Sequence, residues 1–179
     1  MAERKKKNRQ MFSWMNPKLE VREIKNIGKG VFVKREIKKD EMLAVFGGYI
    51  ISVENEANLS EEYNDCGVQI SEDFVLSSGN KKEETDYFNH SCDPNAGFHG
   101  QIFLVAMKKI KKDEEVVFDY AMVLHKVKNV KAYNMKCLCG SEKCRKYITE
   151  NDWKISELQK KYNGYFQYFL QNKINKLKK

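Results

Sequence analysis

The chain has 179 residues, 41% of them hydrophobic and 32% charged, and its 33 basic against 25 acidic side chains give a formal net charge of +8. This length is enough for one ordinary domain with a short appendage, and the hydrophobic fraction is enough for a packed core. No apolar run approaches the roughly 20 residues that a membrane-spanning helix needs, which argues against a membrane protein.

The acidic residues are concentrated in one part of the chain. Residues 54–86 contain ten acids and two bases, a charge of −8, which leaves +16 for the rest of the chain. The basic ends favour nucleic acid as a partner, whereas the acidic middle favours a lysine-rich peptide.

The N-terminal segment, residues 1–18, is basic and has little apolar periodicity, so we expect it to be flexible. Its charged cluster from Glu3 to Arg9 lacks the apolar stretch of a secretory signal. The cluster is compatible with a nucleic-acid arm, a nuclear address or a solvated tail.

Short apolar runs follow along most of the chain, and several of them alternate with polar residues. They predict strands at residues 19–24, 31–33, 42–51, 68–76, 101–107 and 115–120. The pair Gly47-Gly48 interrupts the third strand, and the acidic segment 54–65 is helical or irregular. Short strands at close spacing predict a mainly β core within an α+β fold.

Helices are predicted only near the end of the chain. Asn151 or Asp152 can cap a helix over residues 153–162. The apolar spacing of residues 165–177 predicts an amphipathic helix that packs on the core. No internal repeat is evident.

The stretch Asn89-His90-Ser91-Cys92-Asp93-Pro94-Asn95 places an amide, an imidazole and a thiol in four consecutive positions. Pro94 and the neighbouring Asn and Asp residues predict a turn or loop. Asn89 and His90 are suited to gripping a polar ligand, although a single histidine more often has a structural role.

The cysteine pattern indicates a metal site. Five cysteines fit poorly with a closed disulfide framework, and Cys66 stands alone. Cys137, Cys139 and Cys144 supply three thiols within eight residues, and Cys92 is the candidate for the fourth ligand of a structural zinc. Free buried thiols are the alternative. Thiolates used for metal indicate an intracellular, reducing compartment.

Two further segments carry weaker signals. Gly28-Lys29-Gly30 is followed by a β-branched run, so it predicts a hairpin turn and not a phosphate-binding loop. Tyr120 ends an apolar run, and a tyrosine there is commonly part of the core or its rim.

Taken together, these segments resemble the SET-domain protein lysine methyltransferases with a post-SET zinc segment, in a compact form similar to small prokaryotic members. The resemblance covers roughly residues 19–148. It is carried by Gly28-Lys29-Gly30-Val31-Phe32, by Asn89 to Asn95, by Glu115 to Tyr120, and by the three late cysteines.

The resemblance implies a fold and a division of the chain. The fold is a β-clip of small curved sheets in which the Asn-His loop and the Phe-Asp-Tyr strand form a knot-like crossing. The division is a flexible basic segment 1–18, a SET domain 19–123, a post-SET segment 124–150 and a helical extension 151–179.

The resemblance also implies roles for individual residues. S-adenosylmethionine would be contacted by Lys29, Gly30, Val31, Asn89, His90 and Tyr120. Tyr120 would be the catalytic residue, and Phe46, Phe118 and Tyr147 would line the substrate channel. A phenylalanine at position 118 implies di- or trimethylation.

Two positions depart from the family pattern. Asp86 stands where an arginine is usual, and Phe46-Gly47-Gly48-Tyr49 stands where Tyr-x-Gly-Glu is common. Because Phe46 stands where the family has tyrosine, the channel lacks a hydroxyl group that would help to orient the substrate amine.

We therefore expect a zinc-containing, S-adenosylmethionine-dependent protein lysine methyltransferase that acts on a basic protein or peptide, such as a histone-like, ribosomal or nucleoid protein. Binding of nucleic acid through the basic termini is compatible with this but not required. The alternatives are a weak or inactive SET-fold binding module and a zinc-stabilised nucleic-acid-binding protein. The sequence does not constrain the oligomeric state.

Overall fold

The computed structural model describes residues 12–25, 28–64 and 66–178. Within these ranges most of the regular structure is short strands, joined by turns of 3₁₀ helix. The strands are β1 (Trp14–Met15), β2 (Leu19–Ile24), β3 (Gly28–Val33), β4 (Met42–Val45), β5 (Tyr49–Ser52), β6 (Val68–Gln69), β7 (Phe74–Ser77), β8 (Asn89–His90), β9 (Ala96–His99), β10 (Phe103–Ala106), β11 (Val117–Phe118), β12 (Asn134–Lys136) and β13 (Tyr147–Thr149). The α-helices are α1 (Val53–Ala57), α2 (Ser156–Lys161) and α3 (Tyr168–Leu177), and 3₁₀ turns cover Glu84–Tyr87, Tyr120–Met122 and Asp152–Lys154.

The central sheet has the strand order β1-β4-β10-β9-β11-β8. Its strands are antiparallel except at one end, where β11 runs parallel to both β8 and β9. Three smaller sheets surround it: the hairpin β2-β3, the three strands β5-β7-β6 and the pair β12-β13. The expected mainly β fold of small sheets is confirmed.

Glycines split the predicted strand 42–51 because they allow the chain to leave one sheet and enter another. Gly48 has φ +145°, and β4 and β5 on its two sides belong to different sheets. A side chain at Gly47 would collide with the carbonyl group of Phe12. The segment before β1 therefore packs directly against this corner.

Part of the N-terminal segment that the sequence predicted as flexible is paired. Trp14 lies opposite Val45 and Met15 opposite Ala44 on β4. The backbone N–H of Ser13 also donates to the carboxylate of Glu83 at 2.9 Å. Residues 1–11, with most of the basic cluster, lie outside the described residues.

The C-terminal helices share the hydrophobic core of the sheets. The C-terminal extension, residues 151–179, buries several side chains. They belong to the same hydrophobic cluster as Leu43, Phe98 and Leu104 of the central sheet. The predicted amphipathic helix is confirmed, but it begins at Tyr168 and not at residue 165. The predicted helix 153–162 is divided into a 3₁₀ turn and α2, because Ile155 adopts an extended conformation between them. The buried side chains of the extension are Leu158, Tyr162, Phe166, Leu170 and Ile174.

The chain contains a short internal repeat that the sequence analysis missed. The pentapeptide Ile-Lys-Lys-Asp-Glu occurs at residues 37–41 and again at residues 110–114. Ile37 and Ile110 exchange two backbone hydrogen bonds of 3.0 Å, so the two copies lie side by side in antiparallel orientation.

No helix in the described part of the chain has the length and apolar character to cross a membrane.

Candidate active site and metal centre

The Asn-His segment and the strand before Tyr120 are interlocked. Asn89 lies opposite Val117 and His90 opposite Phe118 in the parallel pair of β8 and β11. On the other side of β11, the side chain of Asn95 accepts a hydrogen bond from the N–H of Val117 at 2.9 Å. The loop predicted for residues 89–95 therefore begins as a strand, and β11 is held between its two ends.

Asn89 links this crossing to the glycine turn. Its amide nitrogen donates to the carbonyl of Lys29 at 2.9 Å and to Glu115 Oε1 at 2.8 Å. A side-chain carbon at Gly30 would lie 2.4 Å from Glu115 Oε1 and 2.9 Å from Asn89 Nδ2, so any larger residue would displace the side chains that form this contact.

A cavity of about 380 Å³ lies on this side of the crossing, and we call it the Asn89 cavity. Asn89, His90 and Glu115 provide polar groups in its wall, and the cysteine-rich segment from Met135 to Cys139 forms another side. A cavity in which a small number of polar groups converge is typical of a binding site for a small molecule.

A second cavity of about 160 Å³ lies on the other side, and we call it the Phe118 cavity. Successive residues of a strand point to opposite faces of a sheet, so Val117 lines the Asn89 cavity while Phe118 lines this one. The wall also contains Phe46 and Phe88, and its charged residues are the acids Glu56, Asp86 and Glu150 and the lysines Lys126 and Lys131.

Tyr120 is the one described residue that lines both cavities. Its hydroxyl donates to the carbonyl of Phe88 at 3.4 Å. The centre of its ring lies 5.1 Å from those of both Phe118 and His90. Burial raises the pKa of the Tyr120 hydroxyl to about 12, so at neutral pH this group is a hydrogen-bond donor.

Further aromatic rings extend this arrangement into the core. The rings of Phe118 and Phe98 meet edge to face at 5.4 Å, and those of Phe98 and Phe46 stack at 5.7 Å. The side of the Phe118 cavity next to Tyr120 is therefore apolar and rigid.

The contacts of His90 indicate a structural role and not a catalytic one. Its Nδ1 accepts a hydrogen bond from the N–H of Tyr120 at 3.1 Å, and its Nε2 lies 3.3 Å from the sulfur of Cys92. Burial lowers the pKa of His90 to about 4, although Asp119 acts in the opposite direction. The imidazole is therefore neutral at pH 7, and it holds the backbone of Tyr120 in place.

The four cysteines that the sequence grouped lie together. The sulfurs of Cys92, Cys137, Cys139 and Cys144 are all within 4.8 Å of one another, and those of Cys92 and Cys137 are 3.9 Å apart. Sulfur atoms that bind one zinc tetrahedrally at about 2.3 Å are separated by about 3.8 Å. The residues present fit a closed zinc site, whereas a disulfide needs sulfurs about 2.05 Å apart.

The thiols of the cluster differ in how readily they ionise: burial raises the pKa of Cys92 and of Cys137, whereas hydrogen bonds favour the thiolate at Cys139. Backbone N–H groups donate to the sulfur of Cys92 from Arg145 at 3.3 Å and to that of Cys144 from Lys146 at 3.4 Å. Burial opposes ionisation of Cys139, but hydrogen bonds from backbone groups outweigh it and lower the pKa of this thiol to about 7.

A buried charge network that the sequence did not predict ties the late segments to the crossing. Asp119 is fully buried, and its two oxygens accept hydrogen bonds from the guanidinium of Arg145 at 2.6 and 2.7 Å. The Tyr162 hydroxyl donates to the same carboxylate at 3.0 Å. No sequence signal identified this network, because its members are far apart along the chain.

Some residues of the predicted site lie away from the two cavities. The side chain of Val31 is fully buried in the core, and the contact of Lys29 with the site is through its carbonyl group. Tyr147 is 57% exposed on β13 and lines neither cavity.

A large part of the wall of the Phe118 cavity comes from a segment for which the sequence predicted no role. The segment 123–133, which lacks apolar periodicity, contributes most of its own residues to this wall. The Thr85 hydroxyl and His125 Nδ1 are buried beside it and have no hydrogen-bond partner among the described residues.

Asp86, which stands where the family usually has arginine, has a local structural role. Its carboxylate accepts hydrogen bonds from the Ser78 hydroxyl at 2.7 Å and from the N–H of Glu83 at 2.8 Å. Burial raises the pKa of Asp86. The residue fixes the 3₁₀ turn that leads into β8.

A family model described as "SET domain" matches residues 28–121, which include the crossing, Tyr120 and the glycine turn. The chain is also 29% identical over 147 residues to the Variant-silencing SET domain-containing protein of Plasmodium falciparum, and 25% identical over 157 residues to the histone-lysine N-methyltransferase SUV39H1-A of Danio rerio. These alignments cover 72% and 68% of this chain, but only 6% and 38% of the two relatives.

Solved structures agree on the fold. A crystal structure of KRYPTONITE in complex with mCHG DNA and SAH superposes on 72% of this chain and 28% of that one, with a TM-score of 0.56 and 23% sequence identity. A second structure of KRYPTONITE, with mCHH DNA, an H3(1-15) peptide and SAH, has the same TM-score. The chain belongs to the SET-domain family, whose relatives include histone-lysine methyltransferases.

Proposed function

We propose that this protein is an S-adenosylmethionine-dependent protein lysine N-methyltransferase. The observation that carries the proposal is the position of Tyr120 in the wall between two cavities of different character. Such a wall lets a methyl donor and an amine approach each other from opposite sides.

The Asn89 cavity is the proposed site of S-adenosylmethionine, which supplies an activated methyl group when it is bound. Asn89, His90 and Tyr120 line this cavity, and the turn with Lys29, Gly30 and Val31 adjoins it through Asn89. The names of the KRYPTONITE structures, which contain SAH, support this choice for a chain of the same fold.

The Phe118 cavity is the proposed channel for the substrate lysine. A free lysine amine has a pKa of about 10.4 and must lose its proton before it can accept a methyl group. An apolar wall of Phe46, Phe88 and Phe118 disfavours the charged ammonium, so it promotes this loss. The neutral amine would then accept the methyl group that S-adenosylmethionine supplies, and the released thioether would remain on the side of the Asn89 cavity.

Tyr120 is the proposed catalytic residue, and its task is positioning. Its hydroxyl stays protonated, so it orients the acceptor amine or the polar edge of the methyl donor and does not act as a base at neutral pH. Phe118 in the channel wall supports di- or trimethylation, since no hydroxyl at that position holds the amine in one orientation. Tyr147 would join the channel mouth only when a peptide is bound.

The substrate class that we propose is a basic protein or peptide, such as a histone-like, ribosomal or nucleoid protein. Three carboxylates and two lysines line the Phe118 cavity, and residues 54–86, several of which contribute to its wall, carry a charge of −8. The names of several relatives, among them Histone-lysine N-methyltransferase trithorax of Drosophila virilis, support a histone-like substrate.

We further propose that Cys92, Cys137, Cys139 and Cys144 hold one structural zinc ion, which would connect the segment 124–150 to the Asn-His loop. This role requires thiolates, so we place the protein in a reducing compartment of the cell.

A catalytically weak member of the family is the second candidate. Phe46 favours it, because this residue lies in the channel wall without the hydroxyl that the family pattern has there. Such a protein would bind S-adenosylmethionine but transfer the methyl group slowly.

The test is an incubation of the purified protein with methyl-labelled S-adenosylmethionine and separate histone, ribosomal and nucleoid protein fractions, followed by mass spectrometry of the labelled residue. We expect methyl-lysine in at least one fraction, and none with an Asn89→Ala variant. Label on a residue other than lysine, or equal labelling by the variant, would contradict the proposal.

A further inference from the structure

The two copies of Ile-Lys-Lys-Asp-Glu form a pair of matching turns. In each copy the aspartate has a positive φ, +64° at Asp40 and +67° at Asp113. In each copy the glutamate side chain accepts a hydrogen bond of 3.1 Å from the N–H of the first lysine. The glutamates, Glu41 and Glu114, are thus engaged in shaping the turns.

The lysines of these turns point away from the protein. Ile37 and Ile110 are fully buried, so the residues beside them face the opposite way, toward solvent. Because the two copies are antiparallel, Lys38 is next to Lys109 and Glu36 is next to Lys111. The facing pair Lys38 and Lys109 is repulsive, whereas Glu36 attracts both Lys111, which it faces, and Lys109, so the lysines of the two turns are only partly neutralised.

We call the exposed cations of the two turns the basic turn surface. It consists of Lys34, Arg35, Lys38, Lys39, Lys108, Lys109, Lys111 and Lys112. Lys109 pairs with Glu36 at 2.8 Å, and the other seven have no ion-pair partner among the described residues. None of the eight lines either cavity.

We propose that the basic turn surface binds the phosphate backbone of duplex nucleic acid. A lysine carries a compact positive charge on a flexible side chain. Several lysines together are therefore better suited to binding the regularly spaced phosphates of a nucleic acid than to recognising the shape of one small ligand. The paired turns fix these charges on two adjacent segments, and a polyanion relieves their mutual repulsion. This surface lies in the described fold and is separate from the basic termini.

The experiment measures binding of a fluorescein-labelled 20-base-pair DNA duplex of mixed sequence by fluorescence anisotropy at several salt concentrations. The test variant is Lys38→Gln with Lys109→Gln and Lys111→Gln. The control variant has the same net charge and carries Lys25→Gln, Lys128→Gln and Lys160→Gln, which are exposed lysines outside both the basic turn surface and the basic termini.

We expect the test variant to bind the duplex about tenfold more weakly than the wild type at 100 mM salt, and the slope of log K against log salt to fall by roughly 3. We expect the control variant to bind like the wild type. An equal loss in both variants, no loss in the test variant, or binding to phosphatidylserine vesicles but not to the duplex would each overturn the proposal. The assay needs no methyl transfer, so its result is independent of the proposed activity.

Discussion

The guanidinium of Arg145 donates to both carboxylate oxygens of Asp119, at 2.6 and 2.7 Å, immediately beside Tyr120. Arg145 follows the last cysteine of the four-cysteine cluster, and Asp119 precedes the proposed catalytic tyrosine. This pair therefore makes the position of Tyr120 depend on the folding of the segment that carries three of the cysteines.

The first prediction concerns this pair. Asp119→Asn removes the buried carboxylate that accepts from both terminal nitrogens of Arg145 and leaves the guanidinium only its contact with Asp152 at 2.9 Å, so breaking this buried pair should cost up to about 3 kcal/mol. We expect urea denaturation to show a loss of this size. Glu36→Gln, which removes the exposed partner of Lys109, is the control and should change the free energy of unfolding by less than about 1 kcal/mol. A stability loss as small as that of the control would contradict a structural role for the pair.

The second prediction concerns the metal. Purified protein should contain about one zinc per chain by elemental analysis, because four thiolates complete a structural site. Cys139→Ser should lower the zinc content and the melting temperature, and a chelator should lower the melting temperature of the wild type. Cys66→Ser lies outside the cluster and should retain the zinc. Metal-free wild-type protein with an unchanged melting temperature would exclude a structural zinc.

The third prediction concerns pH. The pKa of Tyr120 in the folded protein is raised to about 12, and burial also raises the pKa of Tyr162. The stability linked to these groups is present below the pKa of about 10 that a tyrosine has in an unfolded chain, and it is lost as the pH rises toward the folded value. We expect the free energy of unfolding to fall above pH 10, with a smaller fall in Tyr120→Phe.

We also expect the methyl-transfer rate to rise with pH up to about 10, without a decrease from ionisation of Tyr120. A rate that declines between pH 8 and 10 while the protein stays folded would contradict a protonated tyrosine.

The fourth prediction concerns Thr85, whose hydroxyl is buried at the Phe118 cavity without a partner among the described residues. If a bound peptide satisfies this hydroxyl, Thr85→Val removes one hydrogen bond, worth about 1 kcal/mol. We expect KM for the peptide to rise roughly fivefold with little change in kcat, and Thr85→Ser to behave like the wild type. The free protein should be no less stable with valine, since an unsatisfied polar group has been removed. Equal KM values for the valine and serine variants would show that the hydroxyl does not contact the peptide.

The cysteine cluster and the glycine pair were predictable from the sequence. Cysteines at metal-binding spacing and two successive glycines are uncommon, so their presence indicates a specific local structure. The cysteine spacing identified Cys137, Cys139 and Cys144, and the search for a fourth thiol led to Cys92. Gly47 and Gly48 marked the point at which the chain changes sheets.

The other features depend on pairings between distant residues, which local patterns do not encode. Asp119 and Arg145 are 26 positions apart, and nothing in the pattern around either one indicates the other. The short strand β8 was read as a loop because the pairing that defines it is with β11. The segment 123–133 has no periodicity, so its role as a cavity wall is visible only in three dimensions.

The central claim is that the two reactants meet at Tyr120. It is tested most directly by measuring S-adenosylmethionine binding by isothermal titration, and methyl transfer to an accepted peptide, for the wild type and for Tyr120→Phe. We predict that the variant binds S-adenosylmethionine with an affinity close to that of the wild type but transfers the methyl group about 100-fold more slowly, since a misplaced reacting group costs about this much. A variant as active as the wild type would contradict the account.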